Sequence, residues 1–116
     1  MVKKYDIVLV NLEPARGAEK RGVRPCLIVQ NNPVNRSQIQ TVIVVPFTST
    51  SKKVPSAVWV VSNEINGLVS DSRIEISQIR SVDKGRIGKK LGHLEFEYFS
   101  QISKKISNFL DLEDEF

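Results

Sequence analysis

Apolar residues along this chain fall in short runs separated by polar, Gly- and Pro-bearing stretches, and only the C-terminal part carries a helical period. The run at 6–12, Asp-Ile-Val-Leu-Val-Asn-Leu, is β-branched and mostly apolar and predicts a first strand. Cys26, Leu27, Ile28 and Val29 predict a second over 25–30, which Asn31, Asn32 and Pro33 stop by turn chemistry. A third strand is expected over 40–47, halting near Pro46 before the polar run at 48–53. A fourth is expected over 57–61 around Trp59. Asn66-Gly67 predicts a turn, and the polar–apolar alternation over 72–79 predicts a half-buried strand. Residues 82–88 read as a short turn or helical piece. Phe96, Phe99, Ile102, Ile106, Phe109 and Leu110 then repeat at helical spacing, predicting a final helix over 95–110 with its apolar stripe packed on the sheet.

Several short strands followed by one helix predict a mainly β fold, a small and partly open barrel. With 116 residues, no linker and no repeat, the chain reads as one domain over 1–116 that can bury a core without staples. No apolar run approaches the ~20 residues of a membrane span, and the N-terminus lacks a signal-peptide core, so a cytoplasmic protein is expected. The single cysteine cannot close an internal disulfide, which fits a reducing compartment, and Cys26 in its apolar strand reads as an inert core thiol.

Charge changes the picture. Four of the 13 acidic residues (Asp111, Glu113, Asp114 and Glu115) fall in the last six positions, leaving nine against 17 basic residues, a balance of +8, over 1–110. A basic body suits a polyanionic or acidic partner, although ordinary solubility charge looks the same by composition.

The chemistry available is narrow. One histidine and one cysteine exclude structural zinc, and His93 reads as a capping or surface residue; no metal and no cofactor is expected. Neither a nucleophile elbow nor a phosphate loop is present. What remains suits a phosphodiester. Gly17 and Gly22 bound a charged loop that runs into the second strand, so Arg24 stands where a flexible loop meets a rigid sheet. Thr48, just past the third strand, offers a hydroxyl, and Glu19 a possible base on the same loop as Arg24. RNA carries its own nucleophile, the 2′-hydroxyl, so an enzyme need only orient it, neutralise the phosphoryl oxygens and move protons. From the residues alone, this is one of several uses for such a set.

Taken in order, several motifs resemble one family. Asp6-Ile-Val, Gly17-x-Glu19, Val23-Arg24-Pro25 and Leu27-x-Val29-Gln30-Asn31 are similar to the opening of the MazF/PemK toxins, endoribonuclease halves of type II toxin–antitoxin pairs. The similarity continues through Val45-Pro46-Phe47-Thr48-Ser49, Gly67-Leu68, Gln78-Ile79-Arg80-Ser81-Val82-Asp83-Lys84-x-Arg86 and Lys89-Lys90-Leu91-Gly92. It spans essentially the whole chain.

The resemblance implies an SH3-like, CcdB-type barrel working as a homodimer. It implies metal-independent, sequence-specific cleavage of single-stranded RNA, mRNA first of all, which halts translation and growth. An antitoxin with an acidic, disordered C-terminal segment would neutralise it. By motif, Arg24 is expected to stabilise the transition state and Thr48 to hold the phosphate or the attacking hydroxyl; Glu19 is a base or a gate. Arg16, Lys20, Arg21, Lys52, Lys53 and Arg80 would track the RNA backbone, with Gly17, Ser49, Ser77 and Gln78 beside them. Trp59 and Tyr5 could stack on bases, although Trp59 reads first as core or interface. In the PemK/Kid branch an Arg-x-Asp precedes the glutamine; here those places hold Glu75 and Ser77, so that branch's acid–base scheme does not transfer.

Two other classes compete. A gyrase-inhibiting toxin on the same barrel would end in Trp-Gly-Ile, whereas this chain ends Asp-Glu-Phe. A noncatalytic RNA-binding SH3-like module would keep the basic groove but has no need of Arg24 and Thr48 together.

Overall fold

A computed structural model describes residues 1–49 and 57–113. The predicted positions Lys52 and Lys53 lie outside them, as does part of the predicted polar run.

Nine-residue β3 (Thr41–Ser49) is the central strand. One of its edges pairs with β2 (Val23–Ile28), which in turn pairs with β1 (Asp6–Asn11). Its other edge is shared: β6 (Arg80–Asp83) takes the N-terminal half and β5 (Ser72–Ile74) the C-terminal half. β4 (Val58–Val60) extends the sheet beyond β5, and β7 (Ile87–His93) extends it beyond β1. Every pair is antiparallel, and the order β4-β5-β3-β2-β1-β7 does not close. The result is a curled, barrel-like sheet carrying a C-terminal helix, as the sequence pattern predicts.

Four expectations change. The third strand does not halt near Pro46: β3 runs on to Ser49, so Thr48 lies within it, because Pro46 turns its missing N–H to the edge where β5 and β6 part. The strand expected over 72–79 is β5 followed by a 3-10 turn at Ile76–Gln78, and β6 starts only at Arg80. The break lies beside Pro46, which has no N–H to offer the passing strand; its carbonyl still accepts from Glu75 N at 3.0 Å. Residues 82–88, read as a short turn or helical piece, do hold one, a 3-10 turn at Lys84–Arg86, but it is flanked by the end of β6 and the start of β7. Asn31–Pro33 ends β2 as expected but also starts a one-turn helix, α1 (Asn32–Asn35), whose N-cap Asn31 accepts from Val34 N at 3.0 Å.

Alternation along the strands builds two cores. Ile7, Leu27, Val45, Phe47, Ile74 and Leu94 face α2 (Phe99–Leu110), which inserts Ile102 among them. Val8, Val10, Cys26, Ile28, Val42, Val44 and Val82 face the other way and meet where the sheet curls on itself. The helical stripe packs only in part. Ile102 is buried and Phe99 and Ile106 are partly covered, but Phe96, Phe109 and Leu110 are exposed. Phe96 belongs to a 3-10 turn (Phe96–Tyr98) before the helix and touches Phe99 edge-on, so it lies off the helical face.

Gly67 closes the predicted turn at φ +69°, and its backbone lies flat against β7. A Cβ there would sit 2.1 Å from the carbonyl oxygen of Leu91. Gly67→Ala is therefore expected to cost roughly 2–4 kcal/mol, from the left-handed backbone and forced separation together, read as a lower urea midpoint. A midpoint shift under about 0.5 kcal/mol would show that the turn can move off β7.

Candidate active site

The loop between β1 and β2 is held in shape by its own backbone. Leu12 N donates to Gly22 O at 2.9 Å, and Gly22, at φ +73°, turns the chain into β2. Within the loop, Glu19 and Arg16 tie each other reciprocally: Glu19 N donates to Arg16 O at 3.0 Å, and Arg16 N donates to Glu19 Oε1 at 2.7 Å. Lys20 N donates to Gln78 Oε1 at 3.1 Å, which fastens the loop to the 3-10 turn between β5 and β6. Gln78 thus shapes the site whatever else it contacts.

That fastening makes a cleft of about 300 Å³ lined by Glu19, Lys20, Pro46, Ser77, Gln78 and Arg80 among others. Arg24, on β2, lies outside that lining but is set by register beside the strand that carries Pro46. On strand alternation Arg24 and Cys26 share a face, and Cys26 pairs with Pro46; carrying that register on by two residues sets Arg24 opposite Thr48. Arg24 Nε donates to Arg21 O at 2.8 Å, which holds the guanidinium while its two terminal nitrogens have no protein hydrogen bond among the described residues. Such a fork, fixed at one nitrogen and open at two, is shaped for a bidentate phosphate contact.

Burial pushes the Cys26 thiol up to about 12, and the Arg80 and Arg24 charges pull against that shift. Cys26 therefore stays a neutral thiol rather than a nucleophile. Arg80 is tethered weakly, Nη1 to Leu12 O at 3.5 Å.

Thr48 is half-buried, yet its Oγ1 is covered and has no hydrogen-bond partner among the described residues. Native folds rarely leave a hydroxyl in that condition, and doing so costs about 1–3 kcal/mol.

The remaining predicted residues divide. Glu19, Lys20, Ser77, Gln78 and Arg80 line the cleft described above. Ser49 has its Oγ 2.5 Å from Ser70 Oγ, and it lines a second cleft of about 560 Å³ with Arg21, Val23, Arg24 and Val69. Arg21 also donates from Nη2 to Ala15 O at 3.1 Å, and Gly17 supplies a loop turn at φ +55°. His93 ends β7 and is exposed, a surface histidine. Among the described residues no three His, Cys, Asp or Glu side chains gather as metal ligands, and no helix is long and apolar enough to cross a membrane.

Sequence reasoning did not find Arg73 or the place of Glu75 beside it. Arg73 pairs across the sheet with Thr48 on one side and Trp59 on the other, and its Nε contacts Glu75 Oε1 in an ion pair. The alternation over 72–75 did put both side chains on the polar face, but only the strand register shows that this face is the one carrying Thr48.

Known proteins share this arrangement of chain. The family model described as PemK-like, MazF-like toxin of type II toxin-antitoxin system matches residues 3–110. The endoribonuclease EndoA of Bacillus subtilis is 34% identical over 116 residues, covering 98% of both chains. The endoribonuclease MazF of Staphylococcus saprophyticus is 33% identical over 114 residues, covering 97% of this chain and 93% of its own. The crystal structure of MazF from Deinococcus radiodurans superposes with a TM-score of 0.80 at 20% identity, over 95% of this chain and 96% of that one. A mycobacterial endoribonuclease in complex with its cognate antitoxin gives 0.75 at 23%, over 99% and 100%. With a family match over nearly its full length and relatives above 30% identity, the chain belongs to the PemK-like, MazF-like toxins of type II toxin–antitoxin systems.

Proposed function

We propose that this protein is the toxin of a toxin–antitoxin pair and acts in the cytoplasm as a sequence-specific endoribonuclease on single-stranded RNA, with mRNA as its main target. The observation that carries the reading is the strand register that, carried on from Cys26 and Pro46, sets Arg24 opposite Thr48, two residues along β3 from the Pro46 that lines the cationic cleft. Family membership and the endoribonuclease relatives support it.

The reaction needs no metal in this scheme. The 2′-oxygen attacks the adjacent phosphorus as its proton passes to a base, and the P–O5′ bond breaks with the 5′-oxygen taking a proton from an acid or from water, giving a 2′,3′-cyclic phosphate and a 5′-hydroxyl. Arg24 holds the two phosphoryl oxygens that gain charge. Thr48, through its unsatisfied hydroxyl, orients the phosphate or the attacking group. Glu19 is the proposed proton acceptor: it lines the cleft, and only its Oε1 is used by the loop. Lys20 and Arg80 meet the RNA backbone, and Ser77 and Gln78 sit where bases would pass. An antitoxin with an acidic, disordered segment would compete for the same cationic surface.

A homodimer goes with this reading. Val23 and Val69 are exposed beside the second cleft and would bury apolar surface against another copy.

Incubating the purified protein with a long single-stranded RNA in EDTA tests the proposal. Cuts at a recurring short word, leaving cyclic phosphate ends, are the expected result. Folded protein that cuts none of several RNAs would return the field to the gyrase inhibitor and the binding module.

A further inference from the structure

Beyond Arg24 and Thr48, one more row of side chains crosses this face. Trp59 on β4 pairs with Arg73 on β5, and Arg73 pairs with Thr48 on β3. Directly opposed residues keep their side chains on the same face, so the three stand side by side across about 10 Å, two inter-strand steps. Their backbone is firm, because the neighbours that alternate with them (Val58, Val60, Ser72, Ile74 and Phe47) are all buried on the other side. Trp59 itself is only half-buried. A large aromatic ring is thus left partly open beside an arginine, next to the hydroxyl assigned to the reaction.

Glu75 accounts for the arginine's pose. It lies two residues on, on the same face, and takes Arg73 Nε; the two side chains are 16% and 17% exposed. An arginine so enclosed is held in one plane.

We propose that Trp59 and Arg73 form a base-recognition subsite for the nucleotide next to the scissile phosphate, with Glu75 as a positioning residue. This deepens the ribonuclease reading and rests on it. An unstacked base lies on the Trp59 ring, which single-stranded RNA permits and a duplex does not. Arg73 donates to an acceptor edge of that base, the chemistry that favours guanine through O6 and N7. The pair therefore reads one letter of the cut word.

The single tryptophan gives a direct readout. Wild type is titrated with an oligonucleotide carrying its cut word and a 2′-deoxy sugar at the cleaved position, and Trp59 fluorescence is followed. Saturable quenching is expected, with Kd rising about 10- to 100-fold in Trp59→Ala when binding is followed by a dye on the oligonucleotide. In cleavage, Arg73→Lys should relax base choice at one position of the word, and Glu75→Gln should raise KM several-fold with kcat within about twofold. Melting curves of each variant check that it is folded, and Trp59→Phe, which keeps a ring, should recover most of the binding. Wild type that cuts a word while Trp59→Ala and Arg73→Lys cut the same word equally well would overturn the subsite and leave the ribonuclease standing. A uniform loss across all words in Arg73→Lys would make Arg73 a phosphate contact and overturn base reading. Wild type that cuts nothing would instead remove the function on which the subsite rests.

Discussion

Replacing Arg24 with alanine is expected to lower kcat on single-stranded RNA by about 10²- to 10³-fold while leaving the urea midpoint within about 0.5 kcal/mol of wild type. The two halves of that expectation have separate causes. Arg24 is half-buried and makes one described hydrogen bond, Nε to Arg21 O, within an otherwise well-tied loop. Its loss removes little packing. The catalytic loss is large because the guanidinium is held at Nε before substrate arrives, with its Nη groups free of described protein hydrogen bonds, so it stabilises developing charge without reorganising. Arg24→Lys separates charge from shape. A lysine keeps the charge but not the planar fork, so it should recover only part of the rate. Single-turnover rates at saturating protein, with melting curves alongside, measure both halves. A rate unchanged in Arg24→Ala would remove the transition-state role and move attention to Arg80, which lines the cleft.

How much of this was legible in the sequence depends on what holds each element. β1 to β4 were readable because each is a compact apolar run bounded by turn residues, and two buried faces demand such runs. β6 and β7 were not. β6 has a single buried residue, Val82, and β7 carries Gly88, Lys89, Lys90, Gly92 and His93 within seven residues. Side chains give neither strand much; β7 pairs with β1 through two register shifts and accepts the turn at Gly67 because Gly92 lets Ile65 approach, where a Cβ would lie 2.2 Å from its carbonyl oxygen. The break at Ile76–Gln78 was also out of reach, since its cause, Pro46, lies on another strand. The site divides in the same way. Arg24, Thr48 and Glu19 were reached by motif resemblance. Gln78 was picked as an RNA contact, and the structure adds its grip on the Lys20 amide, a contact 58 residues apart that no local pattern announces. Arg73 came to light only through register, which puts a polar-face residue of β5 level with the strand end that carries Thr48.

Thr48 gives the second large effect, and here activity and stability are expected to move in opposite directions. Valine has nearly the shape of threonine, so Thr48→Val exchanges a hydroxyl for a methyl and little else. In the folded chain that hydroxyl is covered and unpaired among the described residues, while in the unfolded chain it is hydrated. Folding therefore carries a desolvation cost with no compensating hydrogen bond, and the valine variant should be more stable by about 1–2 kcal/mol. If the hydroxyl instead orients the phosphate or the attacking 2′-oxygen, the same change should lower kcat about 10²-fold with a smaller effect on KM. The covered state carries a further consequence. Substrate must displace whatever lies over Thr48, and its cross-strand neighbour Arg73, ion-paired to Glu75, is the charged side chain that register sets beside it. Urea unfolding and single-turnover cleavage of Thr48→Val, compared with Thr48→Ser, decide the matter. Serine keeps the hydroxyl and should keep most of the rate. A valine variant that is less stable and fully active would mean that the hydroxyl is satisfied and structural, and the stability held back at this one atom would no longer be evidence of a site built for substrate.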